Sequence, residues 1–124
     1  MTAITRFPNT AGLPLSRAIR AGDFLLLSGQ IPVDENGQVV RGDIATQTHA
    51  VLQRIGETLA LAGAGYSDVV RATVWLADIG DFAAFNEVYR TYFSEGFPTR
   101  STVEAKLALG VGIEIEVQAW LGAK

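Results

Sequence analysis

Arg100 stands where a side chain could hold a negatively charged ligand. It lies in FPTRSTVE, two residues after Pro98 and at the head of a predicted strand. Its planar guanidinium presents a fork of donors that fits a carboxylate, and such a contact, partly removed from water, contributes about 1.5–3 kcal/mol. An arginine at the start of a strand is also a common surface charge. The position alone therefore leaves an anion site and a solvated side chain both open.

Three further residues could contribute to such a site. Glu114 is the first carboxylate of the last predicted strand, and it would lie near Arg100 if strands 99–106 and 112–121 paired as a hairpin. Asn86 flanks the apolar stripe of a predicted helix, where its amide could cap a loop or face a pocket. Gly29, in SGQIP, could let a ligand approach the backbone. Solvated side chains and a simple β-turn explain these positions as well.

The composition excludes several kinds of active site. The chain has no cysteine, which removes thiolate nucleophiles, disulfides and cysteine metal sites. The single histidine, His49, excludes a paired-histidine metal motif. It falls on the flank of a predicted helix, without the strand–turn–serine motif that a serine nucleophile requires, so a structural role is favoured. A net charge of −3 with scattered Lys and Arg argues against a nucleic-acid surface.

Length and composition favour one globular domain over residues 1–124. Of these residues 48% are apolar and 19% charged, enough to bury a core. No apolar run approaches the roughly 18 residues that cross a membrane. The start, MTAITRFPNTAG, lacks the basic and then apolar order of a signal peptide. We expect a cytoplasmic protein that does not act on membranes.

The elements that would position these residues follow from periodicity and turn signals. LSRAIRAG and DFLLLSG predict two paired strands, and Asn36–Gly37 predicts a further hairpin-type turn. A helix begins after Asp43 and ends at Gly63, and a second begins near Asp81. Strands are predicted at 69–78, 99–106 and 112–121, giving an α+β sheet with two helices on one face.

The predicted sheet has apolar residues on both faces, although two helices can cover only one. In 69–78, the pattern places Val70, Ala72, Val74 and Leu76 on one face, and Val69, Arg71, Thr73 and Trp75 on the other. Trp120 and the Leu25–Leu27 run add further apolar surface. An uncovered apolar face predicts oligomerisation.

Taken together, these motifs resemble the RidA (YjgF-type) family of imine and enamine deaminases. The similarity rests on LSGQIPVDENGQVV, on the run from DIATQTHAVLQ to VYRTYF, on FPTRSTVE and on IEIEVQAW, which follow one another in the family's order. The resemblance implies a chorismate-mutase-like fold with a mixed sheet and two helices on one face. It also implies a homotrimer with the sheets inside and active sites in clefts between subunits.

The resemblance further implies an activity and a set of site residues. The activity is hydrolysis of 2-imino and 2-enamino acids, such as 2-iminobutanoate and 2-iminopropanoate, to 2-oxo acids and ammonia, with no metal or organic cofactor. Arg100 would bind the substrate carboxylate and Glu114 would handle water. Gly29 and Asn86 would line the pocket.

Three positions depart from the family pattern. Leu15 stands where well-known members have a pocket tyrosine, and Thr102 stands where they have a cysteine. The resemblance implies that both would bind substrate. The loop KLALGVG lacks the usual Pro and Asp and is one residue shorter. Two alternatives therefore remain: a carboxylate-binding regulatory trimer without turnover, or a deaminase of another enamine in a degradation pathway. A ribonuclease is disfavoured by the acidic charge and the single histidine.

Overall fold

The computed structural model describes residues 3–122, and within them one mixed sheet of six strands carries two α-helices on one face. The predicted α+β class is therefore confirmed. A strand at the N-terminal end of the described range was not predicted. The elements are β1 Ile4–Pro8, β2 Ser16–Ala21, β3 Phe24–Leu27, α1 Ile44–Leu61, β4 Val69–Leu76, α2 Phe82–Tyr89, β5 Thr99–Glu104 and β6 Ile113–Trp120.

The strand order is β1-β2-β3-β6-β4-β5. The hairpin of β2 and β3 is confirmed, but the expected hairpin of the last two strands is wrong. β5 pairs with β4 in parallel, while β6 lies between β3 and β4 and is antiparallel to both. The connection between the parallel strands β4 and β5 contains α2, as a parallel pair requires a long crossover.

α1 begins and ends where the sequence predicts. The Asp43 carboxylate accepts a hydrogen bond from the Thr46 backbone N–H at 2.9 Å, which satisfies a free donor of the first turn. Gly63, just past the last turn, has φ of +79°, a conformation that glycine adopts without strain. One helix face is then buried against the sheet, through Ile44, Thr48, Val51, Leu52, Ile55 and Leu59.

The core lies between this helix layer and one face of the sheet. Ile113, Ile115 and Val117 of β6 are almost completely buried there, as the alternation of the last strand predicts. α2 contributes Phe85 and Tyr89 to the same layer. In the described part of the chain, we find no helix both long and apolar enough to span a bilayer.

A bulge in β4 corrects the predicted faces of two valines. Val69 pairs with Ala119 and Arg71 with Gln118, so two residues of β4 advance against one of β6 and Val70 is the extra residue. Val69 is therefore buried with Ala72 on the helix side, while Val70 is 43% exposed. Strict alternation predicted the reverse, because it assumes a regular strand from the first residue.

The sheet face opposite the helices is apolar and open in the described chain. Phe24, Leu26 and Trp120 are 48%, 39% and 42% exposed there, and Val103 joins them from β5. The register places Trp75 on this face too, half-buried. The uncovered face predicted from the sequence thus exists, although Val69 is not part of it. A homotrimer remains a prediction.

Candidate active site

Arg100 lies on the helix side of the sheet, over a group of aromatic rings. Arg100 pairs with Ala72 of β4, which is buried on the helix side. The Arg100 side chain therefore points towards α2. The guanidinium carbon is 4.8 Å from the ring centroid of Tyr89, 5.0 Å from that of Phe85 and 5.5 Å from that of Phe82. Such cation–π contacts stabilise the position of the charge without using its hydrogen-bond donors. Among residues 3–122, no carboxylate forms an ion pair with Arg100.

Arg100 lines a cavity of about 380 Å³ at the C-terminal half of α2. Its volume is at the small end of the range for ligand pockets. The predicted pocket residue Asn86 lines it too, so the structure brings these two candidates together. The remaining lining residues are Tyr89, Arg90, Phe97 and Pro98. A guanidinium without an acid partner at the wall of a small cavity is a carboxylate-binding arrangement.

Two buried hydroxyl groups next to Arg100 donate to no acceptor in the described chain. They belong to Tyr89 and to Thr102, which lies two residues after Arg100 on the same strand face. Burial raises the pKa of Tyr89 to about 12, and the Arg100 charge and a hydrogen bond from the Arg100 guanidinium offset part of the effect. Tyr89 is therefore protonated at neutral pH and can donate a hydrogen bond. Each of these hydroxyls keeps its proton available for donation.

Glu114 lies on the opposite, open face of the sheet. It pairs with Trp75 across β4 and β6, and its carboxylate contacts Gly29 so closely that a Cβ at position 29 would collide with it. Gln30 and Ile115 exchange backbone hydrogen bonds of 2.8 and 3.1 Å, which hold this loop against β6. A side chain at position 29 would therefore displace the Glu114 carboxylate from its present position. Burial, and then the charge of Glu116, raise the pKa of Glu114.

Leu15 and Gly29 line another, larger concavity of about 700 Å³, beside the start of β2. Leu15 is 45% exposed in it. Ser28 lines the same surface, and its hydroxyl donates to the Ser16 carbonyl at 2.6 Å. The six predicted site residues therefore form two groups: Arg100, Asn86 and Thr102 by α2, and Glu114, Gly29 and Leu15 at the other location.

Within one chain, Arg100 and Glu114 are not neighbours. The expected proximity depended on a hairpin of β5 and β6, whereas β4 separates the two strands. Arg100 aligns with Ala72 and Glu114 with Trp75, three residues apart on β4, and an odd offset puts the two side chains on opposite faces. The two groups can meet only if copies of the chain share a site.

Four residues that line the Arg100 cavity were not among the predicted site residues: Tyr89, Arg90, Phe97 and Pro98. Tyr89 and Arg90 are the two that lie at the end of α2. Both follow Asn86 at spacings of three and four residues, which on a helix puts them on the same face. The spacing can be read from the sequence, but it identifies Tyr89 and Arg90 as pocket residues only once Asn86 is known to line a cavity.

His49 takes no part in either group. It is exposed on α1, and its Nδ1 lies 2.7 Å from the Tyr92 hydroxyl. Over residues 3–122, no group of three His, Cys, Asp or Glu side chains is placed to hold a metal ion.

Comparison with known proteins identifies relatives over nearly the whole chain. The family model described as Endoribonuclease L-PSP matches residues 6–121. A RutC family protein of Pyrococcus horikoshii is 49% identical over 109 residues, which are 86% of each chain. The 2-iminobutanoate/2-iminopropanoate deaminase of Homo sapiens is 41% identical over 111 residues, 88% of this chain and 81% of that one.

Solved structures resemble this fold closely. Yeast Mmf1 superposes with a TM-score of 0.90 at 33% sequence identity, covering 95% of this chain and 98% of its own. E. coli TdcF, solved with bound serine, has a TM-score of 0.83 at 34% identity over 93% of each chain.

Proposed function

Because the chain belongs to the RidA (YjgF-type) family, we propose that it hydrolyses reactive 2-imino acids, and the 2-enamino acids that tautomerise to them, to 2-oxo acids and ammonia. The observation that carries the proposal is Arg100, a guanidinium that contacts three aromatic rings at a cavity wall and has no acid partner among residues 3–122. The human relative is named as a deaminase of 2-iminobutanoate and 2-iminopropanoate. TdcF was solved with serine, which also carries a carboxylate.

Arg100 binds the substrate carboxylate in this proposal. The aromatic rings of Phe85 and Tyr89 fix the guanidinium plane, so little rotational freedom is lost when a carboxylate binds. Asn86 and the protonated Tyr89 hydroxyl line the same wall and can donate to the bound acid. Orienting the carboxylate places the C=N carbon in one position, which is the main requirement for a reaction that is already fast in water.

Glu114 handles the water. Its raised pKa makes it a better proton acceptor than an ordinary carboxylate. Water adds to C2 of the protonated imine as Glu114 takes a proton, giving a carbinolamine. Glu114 then passes this proton to nitrogen, the C–N bond breaks, and ammonia leaves as the hydroxyl group gives its proton back to Glu114, forming the 2-oxo acid. The atoms balance without an oxidant or a metal.

The site takes Arg100 from one copy and Glu114 from another in this proposal. The two residues occupy opposite faces of one sheet, and the open face that holds Glu114 also exposes apolar side chains such as Trp120 and Val103. A homotrimer with sites between subunits would cover that face and bring the two groups together.

A coupled assay tests the activity. Threonine dehydratase or an L-amino-acid oxidase generates the imine, and semicarbazide, which reacts faster with the imine than with the 2-oxo acid, traps what remains. Wild type should slow semicarbazone formation, while Arg100→Ala should lose about 100-fold in kcat/KM because a charge-assisted carboxylate contact is gone. Arg6→Ala, which removes an exposed arginine of β1, is the matched control and should match wild type.

Unchanged semicarbazone formation with wild-type protein, across imines of several amino acids, would refute the deaminase. Binding of a small carboxylate without turnover would then be the function to test. The supporting observation is Leu15, which lacks the hydroxyl of the pocket tyrosine found in well-known family members.

A further inference from the structure

A second arginine faces the cavity that holds Arg100. Arg90 lines it together with Asn86, which lies one helical turn earlier on the same face of α2. The backbone stays helical through this position, since Arg90 has φ of −61° and ψ of −23°. The wall that presents the predicted pocket amide therefore also presents a guanidinium.

Arg90 is available to a ligand. Its ion pair with Glu87 has a nitrogen–oxygen distance of 3.4 Å, and the two side chains are 56% and 75% exposed. Exposed pairs of this kind contribute little because water screens both charges. An anion in the cavity can therefore bind the Arg90 guanidinium, because Glu87 competes for it only weakly.

The charges at this cavity are unbalanced. Its lining includes Arg90 and Arg100, while the other four lining residues carry no charge at neutral pH, Tyr89 being protonated. In the described chain no carboxylate lines it. One substrate carboxylate neutralises Arg100 and leaves Arg90 with only its exposed partner Glu87, whereas a second acid group on the same small molecule neutralises both arginines within the cavity.

We propose that Arg90 determines specificity, by binding a second carboxylate carried on the substrate's side chain, so that dicarboxylic 2-imino acids are preferred over neutral ones. The inference rests on the proposed deaminase activity and leaves its chemistry unchanged. The 2-imino acid carboxylate stays on Arg100, and the side-chain carboxylate extends along α2 towards Arg90.

The test compares two imines of the same shape and different charge. An amino-acid oxidase, with catalase present, generates the imine of glutamate or of glutamine, and kcat/KM is measured for each. Wild type should prefer the glutamate imine by about tenfold, equivalent to about 1.4 kcal/mol. Arg90→Gln should lose this preference, mainly through a higher KM for the glutamate imine, and keep its rate on the glutamine imine.

Glu87→Gln is the matched control. It removes the partner of Arg90 and leaves the guanidinium in place, so the preference for the glutamate imine should persist or increase. Equal kcat/KM of wild type for the two imines, or a preference that survives in Arg90→Gln, would overturn the inference while leaving the deaminase proposal intact.

Binding of product acids separates this inference from the activity. If no imine is turned over, the proposed function fails, and calorimetry with 2-oxoglutarate and with 2-oxoglutaramate, in which an amide replaces the side-chain carboxylate, still tests the arginine pair. Tighter binding of 2-oxoglutarate by wild type, lost in Arg90→Gln, supports the second carboxylate site; equal affinities for the two acids overturn it.

Discussion

Glu114 carries a charge in a setting that disfavours it. Burial against Gly29, and then Glu116 on the same face of β6, raise its pKa above the ordinary value of 4.5. The folded chain therefore binds this proton more tightly than the unfolded chain. Above the folded-state pKa, the ionised Glu114 carboxylate lowers the free energy of unfolding. This destabilisation vanishes below about pH 4.5, where Glu114 is protonated in both the folded and the unfolded chain.

Glu114→Gln should therefore unfold at a higher urea concentration than wild type near neutral pH. The difference should shrink as the pH falls towards about 4, because wild-type Glu114 then becomes uncharged as well. Glu95→Gln, at an exposed loop carboxylate, is the control and should show no such trend. A Glu114→Gln variant less stable than wild type at neutral pH would contradict the assignment of burial as the dominant effect.

The sequence identified the residue types of the site better than their partners. Arg100, Asn86 and Glu114 were chosen for their chemistry and position. Which of these residues lie together could not be predicted from the sequence, because the face on which a side chain lies depends on strand order and register. Arg90 was missed since an exposed helix arginine is ordinary until a cavity is found beside it.

At the scale of elements, the loop between β5 and β6 contains a strained residue. Leu109 has φ of +61° and ψ of 14°, a left-handed conformation that costs a branched side chain free energy. Its side chain is 62% exposed, so little burial offsets that cost. The Arg41 guanidinium donates to its carbonyl at 2.9 Å and helps to hold the turn.

Leu109→Asn should stabilise the fold by about 0.5–1 kcal/mol, because asparagine tolerates this conformation and no buried contact is lost. Urea unfolding should show a higher midpoint at an unchanged slope. Leu13→Asn, at another exposed loop leucine without positive φ, should give no gain. A loss of stability in Leu109→Asn would mean that the leucine makes a contact in the assembled protein.

Helices were the most predictable elements and strand pairing the least. α1 was predicted with its cap because its apolar stripe, Asp43 and Gly63 all act locally. The bulge at Val70 was not predicted, because Val69 and Val70 are identical residues and alternation alone cannot show which of them faces the core. The β5–β6 hairpin was wrong because a loop of eight residues does not by itself specify which strand it leads to.

At the scale of the whole molecule, a shared site predicts complementation between two defective variants. Arg100→Ala and Glu114→Gln should each be strongly impaired. Refolding them together in equal amounts should restore about a quarter of wild-type activity, since random assembly gives that share of sites an intact residue from each copy. Each variant refolded alone is the control. A mixture no more active than its components would place the complete site within one chain.

Strand order also has a consequence during synthesis. β6 lies between β3 and β4, so these two strands never pair with each other, and each lacks a neighbour on that side until β6 is synthesised. A nascent chain that has reached only residue 112 can form the β1–β2–β3 meander and the β4–α2–β5 unit, but not the joined sheet. Each half then presents an unpaired strand edge, a surface prone to aggregation. β6 must emerge from the ribosome before the two halves can join into one sheet.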